Sequence, residues 1–201
     1  MAEMKPSLVV MAREPVMGRV KTRLARAVGA AEALRFYRAN LAAMLRQLSS
    51  PRWRTVLAVT PDDADQGALP ALGVDLLAGQ GPGDLGARMQ RQFDTLPPGP
   101  VVIVGSDIPG IRQADIVAAF GVLGGHDAAI GPSPDGGFWL IGLKRFPRIP
   151  RIFGGVRMSS EAAYADTRSA LAGLRVAQMR SLEDVDDLET FRRWRGRRPG
   201  S

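Results

Sequence analysis

The chain has 201 residues, 45% hydrophobic and 23% charged, with a formal net charge of +7, one histidine and no cysteine. Those proportions suit one ordinary core-forming domain and exclude disorder as the main state. Without cysteine there is no disulfide framework, thiolate zinc site, iron–sulfur cluster or cysteine nucleophile, and the lone His126 rules against a His-dependent triad or a multi-histidine metal site.

Taken in chain order, Leu8–Ala12 (LVVMA) reads as a buried strand, closed by a polar loop that contains Pro15 and Gly18. From Ala31 to Leu48, apolar residues recur at three and four positions, which predicts a helix. Thr55–Thr60 is a second strand, Val74–Ala78 a third, and the glycine-rich GQGPGDLG follows before a helix over Leu85–Leu96. The clearest strand is Val101–Val104, between Pro100 and Gly105. Asp115–Leu123 is helical, Asp127–Ile130 and Phe138–Leu143 are strands, and Leu174–Met179 is a strand between helices over Glu161–Leu171 and Asp187–Trp194. Alternation of strand and helix over the first 130 residues implies a mostly parallel α/β sheet, whose ligands belong beyond the carboxyl ends of the strands. The alternation breaks after Gly131, which suggests an acceptor-side insertion within one domain.

No apolar stretch approaches the roughly 20 residues that span a bilayer, so membrane insertion is not expected. The opening residues lack the features of a signal peptide, and the expected location is the cytoplasm. The positive charge is unevenly spread. Residues 1–58 carry 11 basic and 3 acidic groups, residues 59–191 carry 11 and 17, and the last ten residues add five arginines. That division suits an anionic ligand near the first half and carboxylates holding a hard cation further on. A non-catalytic nucleic-acid-binding module is the reading from a different class. It ranks last, because no nucleic-acid fold motif or basic–aromatic platform is present.

Four segments carry candidate chemistry. The loop after the first strand presents Arg13, Arg19, Lys21 and Arg23, donors suited to phosphate, though the same loop could simply be solubilising. Gly81–Gly86 fits the dinucleotide spacing G-x-G-x-x-G, but that fingerprint belongs in the opening strand–turn–helix, which here is the basic loop. These glycines also suit a tight turn before a helix; Gln80, Asp84 and Arg88 are candidates to contact a base or sugar, and Gly83 and Ser106 are further candidates to bind the nucleotide or its phosphates. Ser106 and Asp107 follow the most hydrophobic strand, where a carboxylate is placed either to hold Mg²⁺ or Mn²⁺ on a diphosphate or to cap the next helix. Asp135, Gly136, Gly137 and Trp139 lie in GPSPDGGFWLIG. Its glycines would admit a ligand close to the backbone, with Asp135 as a base toward a hydroxyl; a plain reverse turn has the same composition. The acidic cluster before the last helix, SLEDVDDLETF, reads by itself as a helix cap.

In order, MAREPVMGRVKTRLARAVG, LAVTP, GQGPGDLGARM, VVIVGSDIPGI, DAAIGPSPDGGFWLIGL and DVDDLETF resemble the small bacterial GT-A-like nucleotide-diphospho-sugar transferases of the arsenosugar-biosynthesis-associated type. The element Lys21–Leu24 also resembles the early K-[ST]-R-L of phospholactate guanylyltransferase-like nucleotidyltransferases. The resemblance implies a three-layer α/β/α, Rossmann-like fold with a mixed, mostly parallel sheet over residues 1–191, leaving 192–201 as an Arg-rich tail. It implies that Arg19, Lys21 and Arg23 face phosphates, that Asp107 and Asp186 hold Mg²⁺ or Mn²⁺, and that Asp135 is on the acceptor side. The expected partners are a nucleotide sugar, or an NTP, and a small-molecule acceptor; no oligomeric state is implied. The expected reaction is metal-dependent glycosyl transfer, with Lys21 supporting the leaving diphosphate. Nucleotidyl transfer to a phosphorylated small molecule, releasing pyrophosphate, is the alternative. Three departures stand out: Ser106-Asp107 in place of a full D-x-D, Asp187 and Thr190 in the terminal motif, and Met158-Ser159-Ser160 in place of a Trp-Ser-Thr element.

Overall fold

The computed structural model describes residues 4–65, 67, 69 and 73–196. Strand β1 (Ser7–Arg13) sets the pattern of the fold: its apolar residues alternate between two cores, because successive side chains leave opposite faces of a sheet. Leu8, Val10 and Ala12 pack with helices α2 (Ala30–Leu48) and α4 (Gln113–Val122). Val9 and Met11 pack on the other face with α3 (Leu85–Thr95) and with Ile152, Phe153 and Leu171 around α5 (Ala163–Ala170). A strand covered on both faces must be apolar at every position, which is why LVVMA and VVIV show no alternation. A smaller third core joins Leu24 of α1 (Thr22–Val28) to Phe36, Val185 and Phe191, the last in α6 (Leu188–Gly196).

With β2 (Arg54–Thr60), β3 (Leu76–Gly79), β4 (Val101–Gly105), β5 (Ala128–Pro132), β6 (Phe138–Leu143) and β7 (Val176–Gln178), the described residues form one mixed sheet of order β3-β2-β1-β4-β6-β5-β7. Strand β1 is parallel to β2 and β4, and β2 to β3. Strand β6 runs antiparallel to β4 and β5, while β7 returns parallel to β5. The carboxyl ends of β1, β2 and β4 therefore share one edge with the turn between β5 and β6.

The expected α/β class and mostly parallel mixed sheet are thus present, with helices on both faces. Element ends move by at most two residues. The larger difference is α1, which starts inside the stretch read as loop. A seven-residue helix carries too short a pattern to announce itself, and it is held by Leu24 in the third core. The break after Gly131 is the antiparallel β5–β6 pair. The Arg-rich end also differs from a detached tail. Helix α6 continues to Gly196, and Trp194 packs edge-on against Phe36 with ring centroids 5.0 Å apart. Residues 197–201 lie outside the described residues. Among the described residues, no helix is long and apolar enough to cross a membrane.

Candidate active site

Two polar residues on the buried face of α2 fix the loops at the sheet edge. The Tyr37 hydroxyl accepts from the Arg13 amide and donates to the Arg13 carbonyl, both at 2.9 Å, and lies 3.3 Å from Ser106 Oγ. Burial pushes the Tyr37 phenol pKa up, so it stays a protonated donor. One helical turn on, Asn40 donates to the Ser106 carbonyl at 2.9 Å. A single helix thus pins the ends of β1 and β4 in register. Sequence periodicity marks Tyr37 only as a helix-face residue; a buried hydroxyl and amide three residues apart was the available hint.

On this frame Lys21, Asp107 and Asp186 meet. Lys21 Nζ donates to Asp107 Oδ2 at 3.1 Å and to Asp186 Oδ1 at 2.6 Å, with its side chain only 5% exposed. Burial pushes the Lys21 pKa down, but the two carboxylates outweigh it and the ammonium is held above its usual range. Lys21 also takes a left-handed backbone (φ 49°) at the start of α1, a conformation that costs about 1 kcal/mol for a non-glycine residue. Asp186 reaches Asp107, 79 residues earlier in the chain, because the Val185 amide donates to the Asp107 carbonyl at 3.0 Å. Asp107 therefore does not cap the next helix, whose N-terminus is closed by Arg112 and Asp115.

Asp184 completes a triad with Asp107 and Asp186, their ligand oxygens all within 4.8 Å of one another. Desolvation first, then the charges of Asp107, Asp186 and Asp135, push its carboxyl pKa up to about 6. Sequence reasoning missed Asp184. The signal was the D-V-D spacing: in an extended segment, residues two apart share a face, and buried Val185 points the opposite way. The acidic cluster divides accordingly. Asp187 is the helix cap, accepting from the Thr190 amide at 2.8 Å, while Asp184 and Asp186 face the site. The oxygen-only donor set, with an ammonium already seated in it, fits a hard divalent cation.

Two cavities flank this cluster. A small one of about 290 Å³, at the carboxyl ends of β1 and β2, is lined by Arg13, Arg19 and Arg88 with Glu14, Thr60 and Pro61. The larger, about 1030 Å³, opens beside β4 and β6 and takes in the triad, Arg23, Asp135, Ser133 and the 157–163 segment. Among the basic-loop candidates, the structure therefore separates Arg13 and Arg19 from Arg23, with Lys21 among the carboxylates of the larger cavity.

Other candidates serve the framework. Gln80 is buried and its amide donates to the carbonyls of Ala12 and Ala58, both at 2.8 Å, so it ties β1 to β2 and has no donor left for a base. Asp84 caps α3 through the Ala87 amide, and the Gly83 carbonyl accepts from Arg88 Nε at 2.9 Å. Gly136 (φ 84°) approaches protein, not ligand: a Cβ there would lie 2.1 Å from the Glu161 carbonyl oxygen. The Gly137 amide is taken by Asp135 Oδ1 at 3.0 Å. Trp139 is buried as a wall of the larger cavity and donates its indole N–H to the Arg180 carbonyl. Ser106 is buried against Tyr37, and His126 is a loop residue whose Nδ1 lies 3.0 Å from the Val122 carbonyl.

The sheet order and the edge on which these groups collect define a nucleotide-diphospho-sugar transferase-like fold. A structure from Desulfovibrio desulfuricans G20, described as a candidate nucleotide-diphospho-sugar transferase, is 31% identical, with 98% of this chain and 89% of that one covered and a TM-score of 0.87. The chain belongs to the family described as "Uncharacterized protein conserved in bacteria (DUF2064)", whose profile matches residues 43–160. More distant structures share the fold. The 4-diphosphocytidyl-2C-methyl-D-erythritol synthase of Anaerococcus prevotii DSM 20548 is 12% identical over 96% of each chain, with a TM-score of 0.62. Glucosyl-3-phosphoglycerate synthase of Mycobacterium tuberculosis, in complex with Mn²⁺, UDP and glucosyl-3-phosphoglycerate, is 11% identical over 91% of this chain and 71% of that one, with a TM-score of 0.57. No curated protein matches the chain significantly.

Proposed function

We propose that this protein is a divalent-metal-dependent transferase that takes a nucleotide-diphosphate sugar and passes the glycosyl group to a small acceptor, within one transferase domain that includes α6. The observation that carries the reading is the junction of a basic cavity and a carboxylate triad around Lys21, at the carboxyl edge of β1 and β4. Arg13, Arg19 and Arg88 bind the nucleotide end. Asp107, Asp184 and Asp186 hold Mg²⁺ or Mn²⁺, which when bound neutralises the diphosphate and its developing charge. Lys21 exchanges its carboxylate contacts for a phosphate oxygen and supports the leaving group. The acceptor oxygen forms a bond to the anomeric carbon as the bond from that carbon to the phosphate oxygen breaks. The nucleoside diphosphate leaves with the electron pair, and Asp135 takes the hydroxyl proton. The likeness to the arsenosugar-associated type is part of the same proposal.

The test is hydrolysis and transfer from a panel of nucleotide-diphosphate sugars with Mn²⁺. A nucleoside diphosphate released faster with metal than without is the expected result. Pyrophosphate released from an NTP in the presence of an acceptor, with nucleotide sugars inert, would overturn it in favour of nucleotidyl transfer.

A further inference from the structure

The larger cavity carries a sign of charge that selects its acceptor, an inference that rests on the transferase reading above. Five carboxylates line it: Asp107, Asp184, Asp186, Asp135 and Glu161. Its two arginines do not balance them. Arg157 is clamped by Asp166, with Nε to Oδ2 at 2.8 Å, Nη2 to Oδ1 at 2.9 Å and its amide on the same carboxylate at 3.0 Å. Among the described residues, Arg23 is the one cavity-lining guanidinium without an ion pair, and it is exposed on α1. The cation and Lys21 offset only part of the negative charge of the metal triad and the donor diphosphate. Asp135 and Glu161 are left over on the acceptor side.

The rest of the lining agrees with that sign. Ser133 and Ser159 line it with hydroxyls, while Met89, Phe138, Met158 and Trp139 supply an apolar wall. Carboxylates that accept from hydroxyls or ammonium groups, beside a surface for C–H faces, suit a hydrogen-bond-donating ligand. A phosphate in this space would meet like charge with no unclamped guanidinium from the 157–162 loop to receive it.

We infer that the acceptor is a hydroxyl compound without a phosphate group, either a neutral polyol or an amino alcohol. Its hydroxyl oxygen takes the anomeric carbon while its proton passes to Asp135, as above, and Glu161 orients a second hydroxyl or an ammonium group.

The experiment uses the full chain loaded with Mn²⁺ and whichever of UDP, GDP, CDP, ADP or TDP it binds. Failure to bind any of these would overturn the transferase reading itself. With one bound, calorimetric affinities are compared for glucose against glucose 6-phosphate and for glucosamine against glucosamine 6-phosphate. Each unphosphorylated member is expected to bind about tenfold or more tightly than its phosphorylated mate. The glucose and glucosamine arms distinguish a neutral acceptor from a cationic one. Asp166→Asn, which releases Arg157 at a site outside the triad, is expected to narrow each ratio by strengthening the phosphorylated member, as is Glu161→Gln. Circular dichroism and a melting curve verify that each variant folds. Equal affinities, or tighter binding of the phosphorylated sugars to the wild-type protein, would overturn the acceptor assignment while leaving nucleotide binding intact.

Discussion

The two cavities along the carboxyl edge of the sheet, one at the ends of β1 and β2 and one where β4 meets β6, are lined by opposite charge. The parallel half, β3-β2-β1-β4, ends in a small cavity walled by Arg13, Arg19 and Arg88. The half that contains the antiparallel strand opens on a cavity more than three times larger, in which carboxylates outnumber arginines. Parallel strands joined by helices place short loops and helix starts at their carboxyl ends, a compact anion-binding arrangement. An antiparallel strand brings a turn to the same edge, and here the 157–163 segment folds over it through Gly136 and Tyr164. The lesson is that one edge of a sheet acquires two chemistries when the direction of one strand reverses. Lys21 stands at the boundary, a cation among carboxylates.

The largest effect that can break this contrast is loss of the triad. Asp107→Asn is expected to lower Mn²⁺-stimulated donor hydrolysis by about a thousandfold while the protein still melts cooperatively. Retained hydrolysis would remove the triad from the chemistry.

Lys21→Met should reduce transfer about a hundredfold. It should also tighten Mn²⁺ binding in the absence of nucleotide, because the ammonium no longer competes for Asp107 and Asp186. Titration with Mn²⁺ followed by paramagnetic resonance separates the two effects, and unchanged or weaker metal binding would count against the competition.

Gly136→Ala tests the acceptor half alone. Its Cβ would strike the Glu161 carbonyl, and positive φ adds strain, so a loss of about 2 kcal/mol in stability is expected. The 159–161 segment would shift with it. Acceptor KM should therefore rise while nucleotide affinity holds, measured by steady-state kinetics and by calorimetry.

The smallest effect concerns pH. Asp184 is raised to about 6 in the folded chain, so between its unfolded pKa, about 4, and 6 the folded state binds the proton more tightly. The contribution of Asp184 to the stability of the metal-free protein should then fall modestly as pH rises from about 4 to about 7, most steeply near about 5. Asp184→Asn should flatten that slope in a series of melting curves.

Much of the frame was legible from the chain. Apolar runs at β1 and β4 declare buried strands because a strand covered on both faces has no polar side, and the three–four spacing of α2 declares its buried stripe. Other features were legible only as alternatives. Asp107 read as a metal ligand or a helix cap, and the acidic cluster before α6 as a cap. Local composition has no means of choosing, since the same carboxylate serves either role. The fold separates the roles: the Asp107 carboxylate pairs with Lys21 while Arg112 and Asp115 close the next helix, and within the acidic cluster it is Asp187 that caps α6. Gln80 and Asp84 went the other way, from nucleotide candidates to framework, because nearby carbonyls and amides satisfied them first.

The sequence by itself determined the class of sheet, its covered strands, and a chemistry limited to carboxylates, hydroxyls, guanidinium, ammonium and backbone groups, because those follow from periodicity, from the absence of cysteine and from a single histidine. Tertiary structure alone decided that Lys21 sits between Asp107 and Asp186, that Asp184 joins them, and that Asp166 clamps Arg157. Local propensity carries no information about pairs such as Lys21 and Asp186, which are separated by most of the chain. Their distance is set by how β1, β4 and α2 pack, and only a folded core fixes that.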